Sequence, residues 1–559
     1  MRRSSAGVSL TRKVSERKKC KNKDEDRTYN ILTFDSGGCL GILEAHMLQD
    51  VMNMATILRD SPKEVFKVIA KNDRETLLAK PAARQKMAEL IKEVKHPIHP
   101  TEVFDMMAGT STGALIAFGL VGGKADAHTG LRIPMSITDM INMYLTSFPK
   151  VFKYYTGWKK LKNALARKII GIQIDPYDTE IVKHIIEGYF GQSTLQDLNA
   201  GIPCVALAAV MRMRHNAEEP YDGTEIFDTK SSLSVKVTDV MMASCNAPVY
   251  FKTPWYIRGV PYADGALGAS CPLGPAIARM QDLTNGQLQS ALSIGPPRDK
   301  DDTKKGMNGL KFWLSYFTGR PRDGYQSYLE TKAHHPLGHC MRLSARSESL
   351  KLEADDTRFK FMLDEMEAEK QKDPRYLQDI IISALPIATR AMRKDTDCLG
   401  QLWQVAKYVM KWTFHTNNAE KGLYIANTFG NIPTQNKGLK CEFDIYLVRA
   451  YYQLNLFTTA RDKSEDIHLP LDCTKRPELE SSLLTLKGQI HFQLGRIIFC
   501  NNKALLICTI YISISLGNYH DSERLLKQSL SILNEKNFDR KSSAEALMYL
   551  SKSNKSFIK

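Results

Sequence analysis

The sequence places one serine between two glycines, in the pentapeptide GTSTG at residues 109–113. The apolar run 103–108 precedes it and a second apolar run, 114–121, follows it, which predicts a strand, a sharp turn and a helix. A serine on such a turn needs small neighbours, here Gly109 and Gly113, because the two backbones approach closely. At a helix start, unpaired N–H groups and the positive end of the dipole would stabilise negative charge near Ser111. The pattern therefore predicts a nucleophilic serine.

A nucleophilic hydroxyl also needs donors that hold the oxyanion, and a glycine-rich turn is a candidate for this role. Residues 35–41, DSGGCLG, lie between a predicted first strand at 29–34 and a predicted helix at 42–48. A turn in that position exposes backbone N–H groups, which can bind a phosphate or a tetrahedral oxyanion. The turn has neither the P-loop pattern nor Gly-x-Gly-x-x-Gly, so nucleotide binding is disfavoured.

Candidates for the base lie much later in the chain. Asp264 ends a short apolar segment and is followed by glycine, although an isolated Asp-Gly is usually only a turn. Three histidines follow it, His334, His335 and His339. They leave open a Ser-Asp-His triad of the α/β-hydrolase type, or a metal site. No carboxylate-rich or cysteine-rich cluster accompanies the histidines, so a structural role is favoured for them.

Taken together, these motifs resemble those of the patatin-like phospholipases over about residues 29–345. The resemblance rests on the turn at 35–41, the serine turn at 109–113, the segment 243–251 and the tripeptide DGA at 264–266. It implies an α/β fold, with a three-layer α/β/α domain that hydrolyses the acyl esters of phospholipids, lysophospholipids or acylglycerols. No metal or organic cofactor is implied.

The resemblance also implies the roles of individual residues. Ser111 would be the nucleophile and Asp264 its base, in a Ser–Asp dyad that needs no histidine. The backbone N–H groups of Gly37 and Gly38 would form the oxyanion hole. Gly109 and Gly113 would form the nucleophile elbow.

The glycine-rich turn departs from the family pattern Asp-Gly-Gly-Gly-x-Arg/Lys-Gly at two positions. Ser36 stands in place of the first glycine and Leu40 in place of the basic residue. If that glycine normally has a positive φ, Ser36 adds backbone strain of about 1 kcal/mol. Leu40 removes a cation that could anchor a phosphate headgroup. These departures predict a hydrolase with altered headgroup preference; the alternative is a catalytically inactive adaptor that binds membranes or protein partners.

Composition predicts where the protein works. The chain has 559 residues, 43% of them hydrophobic, which suits two or three globular domains. Its 11 cysteines form no Cys-x-x-Cys pair, and no apolar run of signal-peptide length follows the N-terminus. The longest apolar stretch, 504–516, is shorter than the roughly 20 residues that span a bilayer. We expect an intracellular, cytoplasmic protein that is soluble or peripheral on membranes.

The net charge of +16 predicts an anionic partner. Residues 1–28 form a basic tail that is predicted to be disordered. Residues 148–170 interleave basic and aromatic side chains and contain no acid. This segment either lies on an anionic membrane surface or is a core helix with one solvated basic face. No nucleic-acid motif is present, so nucleic acid is not an expected partner.

The last third of the chain resembles helical repeats. After a helical connector at 346–400, residues 401–559 are predicted to form tetratricopeptide-like repeats, because their packing residues recur at suitable spacing: Trp403, Ala419, Leu423, Ala426 and Ala460. Residues 497–518 interrupt a third unit and are interpreted as an insertion, translated from an unspliced intron. Stacked helical pairs leave a concave surface, which predicts a protein partner or self-association.

Overall fold

A computed structural model describes residues 28–467 and short pieces between 482 and 493. Within the main range it leaves out 71–79, 127, 153–176, 200–202, 214–222, 232–233, 248–249, 252–253, 299–323, 337, 347–356, 393–395, 417, 431 and 433–435. The predictions made for the basic tail, for most of the basic and aromatic segment and for the insertion therefore lie outside the described residues.

A mixed sheet of eight strands lies at the centre of the described chain, in the order β10-β9-β1-β2-β5-β8-β7, with β6 also paired to β5. Two further strands, β3 and β4, pair only with each other. The strands are β1 (Thr28–Phe34), β2 (Met106–Thr110), β3 (Lys124–Ala125), β4 (Arg132–Ile133), β5 (Val205–Arg212), β6 (Gly223–Asp228), β7 (Trp255–Ile257), β8 (Val260–Asp264), β9 (Gln287–Arg298) and β10 (Cys340–Arg346). Strands β10, β9, β1, β2 and β5 are parallel, whereas β6, β7 and β8 join through antiparallel pairs.

The helices of the first part of the chain are α1 (Gly41–Asp60), α2 (Pro62–Ile69), α3 (Pro81–Lys92), α4 (Thr112–Gly122), α5 (Ile137–Val151), α6 (Thr179–Phe190), α7 (Leu195–Asn199), α8 (Val237–Cys245), α9 (Leu273–Thr284) and α10 (Gly324–Ala333). The later helices are α11 (Phe359–Lys372), α12 (Pro374–Ala391), α13 (Thr396–His415), α14 (Ala419–Gly430), α15 (Lys437–Gln453) and α16 (Phe457–Glu465). None of these helices is both long enough and apolar enough to cross a membrane.

Strand β1 shows why the sheet is covered by helices on both faces. Its side chains alternate between two cores: Leu32 and Phe34 belong to a core that also contains residues of α1, α4 and α5, while Tyr29 and Ile31 belong to a second core with residues of α9 and α10. Such two-sided burial is typical of a parallel strand, and β1 is buried along nearly its whole length. The predicted three-layer α/β/α arrangement is confirmed.

Most elements around the two glycine turns lie close to their predicted bounds. The first strand, predicted at 29–34, is β1, and the helix predicted at 42–48 continues as α1 to Asp60. The prediction that β2 begins at residue 103 was wrong, since it begins at Met106. Residues 100–102 form a 3-10 turn instead, and the Asp105 carboxylate accepts the N–H of Asn30 at 2.7 Å, which fixes the chain before the strand.

The later helices pack directly on the α/β layers. One continuous apolar core contains residues of β1, α1, α12, α13 and α15. Helix α12 begins at Pro374, whose fixed φ suits a first helical position, and Asp373 caps it by accepting the N–H of Arg375 at 2.9 Å. Leu377 and Ile380 of α12 are fully buried in this core, and α12 packs against α1.

Helices α13 to α16 follow one another with short connections, and each packs on the next. Trp403 of α13 centres their core: its ring lies 5.2 Å from that of Phe429 and 4.4 Å from that of Phe443, and its Nε1 donates to Glu442 at 3.0 Å. The small and apolar residues on which the repeat prediction depends are all buried: Ala419, Leu423, Ala426 and Ala460. This arrangement is helical, as predicted, and its assignment to tetratricopeptide-like repeats stays a prediction.

Candidate active site

Ser111 lies on the turn between β2 and α4 with φ 55° and ψ −126°. A positive φ is rare for a residue with a side chain, so the turn holds Ser111 in a strained conformation. The flanking glycines make the turn possible. A Cβ on Gly109 would lie 2.1 Å from the carbonyl oxygen of Gly113, and one on Gly113 would lie 2.4 Å from that of Asp35. Any larger residue at either position would separate β2 from α4, or α4 from the end of β1.

The hydroxyl of Ser111 donates to Asp264 Oδ2 at 2.8 Å. Asp264 ends β8, where it lies opposite Val210 of β5, and β5 in turn neighbours β2. The other carboxylate oxygen of Asp264, Oδ1, accepts the N–H of Ala266 at 2.8 Å, which fixes the orientation of the carboxylate. The glycine that follows Asp264 is needed for close packing, because a Cβ on Gly265 would lie 2.2 Å from a carbonyl oxygen of β5. The sheet thus brings together two residues that are 153 positions apart.

The environment of Asp264 makes it a stronger base than an exposed carboxylate. Asp264 is only 2% exposed, and this burial raises its pKa from 3.8 to about 7. The hydrogen bonds from Ala266 and Ser111 lower the pKa but do not offset the effect of burial. A carboxylate with this pKa accepts a proton far more readily near neutral pH than an ordinary aspartate does.

Helix α8 supplies two further contacts to the serine turn. Ser244 Oγ accepts the backbone N–H of Ser111 at 2.9 Å and donates to the carbonyl oxygen of Ala209 at 2.8 Å, which ties the turn to β5. The thiol of Cys245 also lies beside the pair, and burial together with the Asp264 charge raises its pKa well above the usual value. It therefore stays a neutral thiol. The segment 243–251 contributed to the family resemblance, but these individual contacts were not predicted.

The glycine-rich turn leaves the sheet beside the serine turn. Phe34 pairs with Gly109 across the parallel strands β1 and β2, so the two turns start at the same level about 4.8 Å apart. Among the described residues, no backbone carbonyl accepts the N–H of Gly37 or of Gly38. These N–H groups are the predicted oxyanion donors, and their position is compatible with that role.

The prediction of backbone strain at Ser36 was wrong. Gly38, and not Ser36, has the positive φ in this turn, at 57°. Ser36 is held by its neighbour across the turn, because its N–H donates to the carbonyl oxygen of Ser270 at 3.0 Å and the two hydroxyls lie 2.6 Å apart. A side chain at position 36 is therefore accommodated without a backbone penalty.

A buried ion pair that sequence reasoning missed supports the start of this turn. Arg342 of β10 donates to Asp35 Oδ1 at 2.8 Å, and its second terminal nitrogen contacts Oδ2. It also donates to Ser293 of β9 at 2.6 Å. Only 8% of the Arg342 side chain and 2% of the Asp35 side chain are exposed, so this guanidinium stays charged beside its partner. Because 307 residues separate the two, no local pattern could have signalled the pair.

The three candidate histidines lie in a different part of the fold. His334 and His335 follow α10, and His339 directly precedes β10. The Nδ1 of His339 lies 3.1 Å from the carbonyl oxygen of Gln289, near the beginning of β9, whereas Ser111 follows the carboxyl end of β2. Burial lowers the pKa of His335 and of His339. Over the part of the chain that the structure describes, no group of three or more potential metal ligands occurs.

Comparisons with known proteins identify the family of this region. Residues 88–277 match the family model described as patatin-like phospholipase, a range that includes Ser111 and Asp264 but begins after the glycine-rich turn. No match is found among curated proteins. Among solved structures, the chain is similar to VipD from Legionella pneumophila at 9% identity and a TM-score of 0.27, over 83% of this chain and 92% of that one. A likeness at that score adds nothing to the assignment. The family match and the α/β/α fold lead to one conclusion: the chain contains a patatin-like phospholipase domain at residues 88–277.

Proposed function

We propose that this protein is a lipid acyl hydrolase of the phospholipase A, lysophospholipase or acylglycerol lipase type, with Ser111 as the nucleophile and Asp264 as the base. One observation carries the proposal: the 2.8 Å hydrogen bond from a serine on a strained elbow to a buried aspartate. Hydrolysis of lipid esters is the activity that the description of the matched family indicates.

The first step is attack on the ester carbonyl. Asp264 accepts the proton from Ser111 as the serine oxygen bonds to the acyl carbon, and the carbonyl oxygen becomes an oxyanion. The N–H groups of Gly37 and Gly38 donate to that oxygen. The dipoles of α1 and α4 also stabilise it, because each helix presents its N-terminus to this region. When the tetrahedral intermediate collapses, the bond to the alcohol breaks, the proton on Asp264 passes to the alcohol, and an acyl-serine remains.

The second step removes the acyl group from Ser111. Asp264 takes a proton from a water molecule while the water oxygen attacks the acyl carbon of the acyl-serine. When the intermediate collapses, the proton on Asp264 returns to the oxygen of Ser111 and the fatty acid leaves. If a lipid alcohol replaces water, the same step transfers the acyl group to that alcohol. Both reactions need the same two side chains.

Release of fatty acid from vesicles tests this proposal. The purified protein is mixed with vesicles that contain phospholipid, lysophospholipid and acylglycerol, beside Ser111→Ala, Asp264→Asn and a control, Asp444→Asn, whose carboxylate pairs with Lys440 in the later helices. We expect both site variants to lose on the order of a thousandfold or more in rate and the control to keep its rate. A folded protein that binds the vesicles without releasing fatty acid would contradict hydrolysis and favour the adaptor alternative.

A further inference from the structure

Glu44 is a buried acid that the mechanism above does not use. It lies in the first turn of α1, directly after the glycine-rich turn, and it is completely buried. Neither of its carboxyl oxygens has a hydrogen-bond partner among the residues that the structure describes. Leaving a buried carboxyl without partners costs free energy, so its presence beside a functional turn requires an explanation.

The carboxyl of Glu44 lies against the predicted oxyanion hole. A Cβ built on Gly37 would be 3.4 Å from Glu44 Oε1 and 3.6 Å from the backbone nitrogen of Gly41. A methyl group at position 37 would be in ordinary van der Waals contact with the acid, so Oε1 of Glu44 borders the turn at Gly37. A charge on Glu44 would act on this turn with little screening, because the carboxyl borders the turn and is fully buried.

The surroundings of Glu44 provide one cation for two carboxyl groups. Asp35 approaches from the end of β1, Arg342 from β10 and Tyr144 from α5, while Cys39 lies within the turn. Arg342 already donates to both oxygens of Asp35. The hydroxyl of Tyr144 donates instead to the carbonyl oxygen of Thr112, at 3.4 Å.

The surroundings of Glu44 favour its neutral form in the folded protein. Burial raises its pKa well above the ordinary value, and the negative charge of Asp35 raises it further, whereas Arg342 acts in the opposite direction. The two carboxyls differ in their contacts, since Asp35 is paired with Arg342 while the oxygens of Glu44 have no hydrogen-bond partner among the described residues.

We propose that Glu44 is a positioning residue of the oxyanion hole, which supports the Gly37 turn as a neutral acid and switches the site off when it ionises. This inference rests on the proposed function. A carboxylate behind the turn attracts the same N–H dipoles that must point toward the substrate oxyanion and repels the oxyanion itself. Its ionisation should cost at least as much as the loss of one oxyanion donor, on the order of a hundredfold in kcat.

The pH dependence of kcat and KM for a soluble ester tests the role, with the full chain as wild type, Glu44→Gln and a control, Glu442→Gln. Glutamine keeps the shape of the acid but cannot ionise, and Glu442 is a buried acid of the later helices, bonded to Trp403. We expect the wild type and the control to lose about a hundredfold in kcat at alkaline pH with KM unchanged. The kcat of Glu44→Gln should match that of the wild type at neutral pH, and it should not fall at alkaline pH. Glu44→Met provides the same comparison if the glutamine variant does not fold.

Infrared difference spectra between the wild type and Glu44→Gln measure the protonation of the Glu44 carboxyl independently of turnover. A band from a protonated carboxyl at neutral pH, lost in step with kcat as the pH rises, is the expected result. An ionised Glu44 at neutral pH, a flat wild-type profile, or an alkaline loss that persists in Glu44→Gln would each overturn the inference. A protonated carboxyl in a folded protein with no turnover would instead overturn the proposed function, and the positioning role with it.

Discussion

At the residue scale, the burial that makes Asp264, the proposed base, more basic also opposes the stability of the folded protein. An aspartate that is ionised in a buried site is less favourable than the same aspartate in the unfolded chain, where water solvates it. Its pKa rises from 3.8 to about 7 in the folded protein. Between those two pH values the folded state binds more protons than the unfolded state, so the free energy of unfolding must fall as the pH rises through this window.

We therefore predict opposite pH trends for activity and stability, both of which depend on Asp264. Hydrolysis should increase as the pH rises through about 7, because the proposed base, Asp264, must be ionised to accept a proton. The free energy of unfolding should fall over the same range, and Asp264→Asn should recover about 4 kcal/mol at pH 8, since one pKa unit is about 1.4 kcal/mol. At pH 4 the variant should gain little. Urea unfolding of both proteins at the two pH values measures this difference, and an equal difference at both would contradict it.

The two predicted residues and the two missed ones differ in what the sequence shows of them. Ser111 and Asp264 were predicted because the turns that hold them need glycine neighbours, which leave a local pattern. Glu44 and Arg342 have no such neighbours. Arg342 looks like an ordinary strand residue, and Glu44 looks like a helix residue, until the sheet places β10 beside the start of α1. Only the folded chain shows that one guanidinium faces two acids.

At the element scale, the site depends on how closely α4 approaches β1 and β2. The backbone of α4 at Gly113 lies so near the end of β1 that a methyl group would come within 2.4 Å of a carbonyl oxygen. This contact sets the distance between the serine turn and the glycine-rich turn, and hence between the proposed nucleophile and the predicted oxyanion donors. Hydrophobic patterning predicted these elements well but could not predict this spacing, since a strand and a helix of the same composition could pack further apart.

We predict that Gly113→Ala separates the two turns and lowers kcat on the order of a hundredfold or more, because misplacing the reacting groups by about 1 Å has that effect. It should also lower the free energy of unfolding. The matched control is Gly188→Ala in α6, where a Cβ would meet nothing within 4 Å. That change should leave kcat unaltered and stabilise the fold by about 1 kcal/mol. Equal kinetic effects of the two substitutions would show that α4 is not closely fitted to the site.

At the scale of the whole molecule, α1 joins the site to the later helices. Its first turn carries Glu44, and further along it Asp50 lies 2.7 Å from the buried ammonium of Lys370 in α11. His46 lies 2.9 Å from Glu367 of the same helix, and the hydroxyl of Tyr376 in α12 donates to Asp50 at 2.9 Å. This polar network lies beside the continuous apolar core. The sequence predicted helices here but gave no sign that they would cover α1.

The shared core and this network predict that the site and the later helices unfold together. Lys370→Met leaves Asp50 buried without its cation, which should lower the free energy of unfolding by about 3–5 kcal/mol. Lys67→Met is the control, and it should be nearly neutral because Lys67 forms only an exposed ion pair with Glu64. Urea unfolding is followed by ester hydrolysis and by the fluorescence of Trp403, which is assigned by comparison with Trp403→Phe. The urea midpoints from both signals should fall by the same amount in Lys370→Met, because one continuous core contains both α1 and Trp403. If hydrolysis survives after the Trp403 signal is lost, the later helices are an independent unit, and the site does not depend on them.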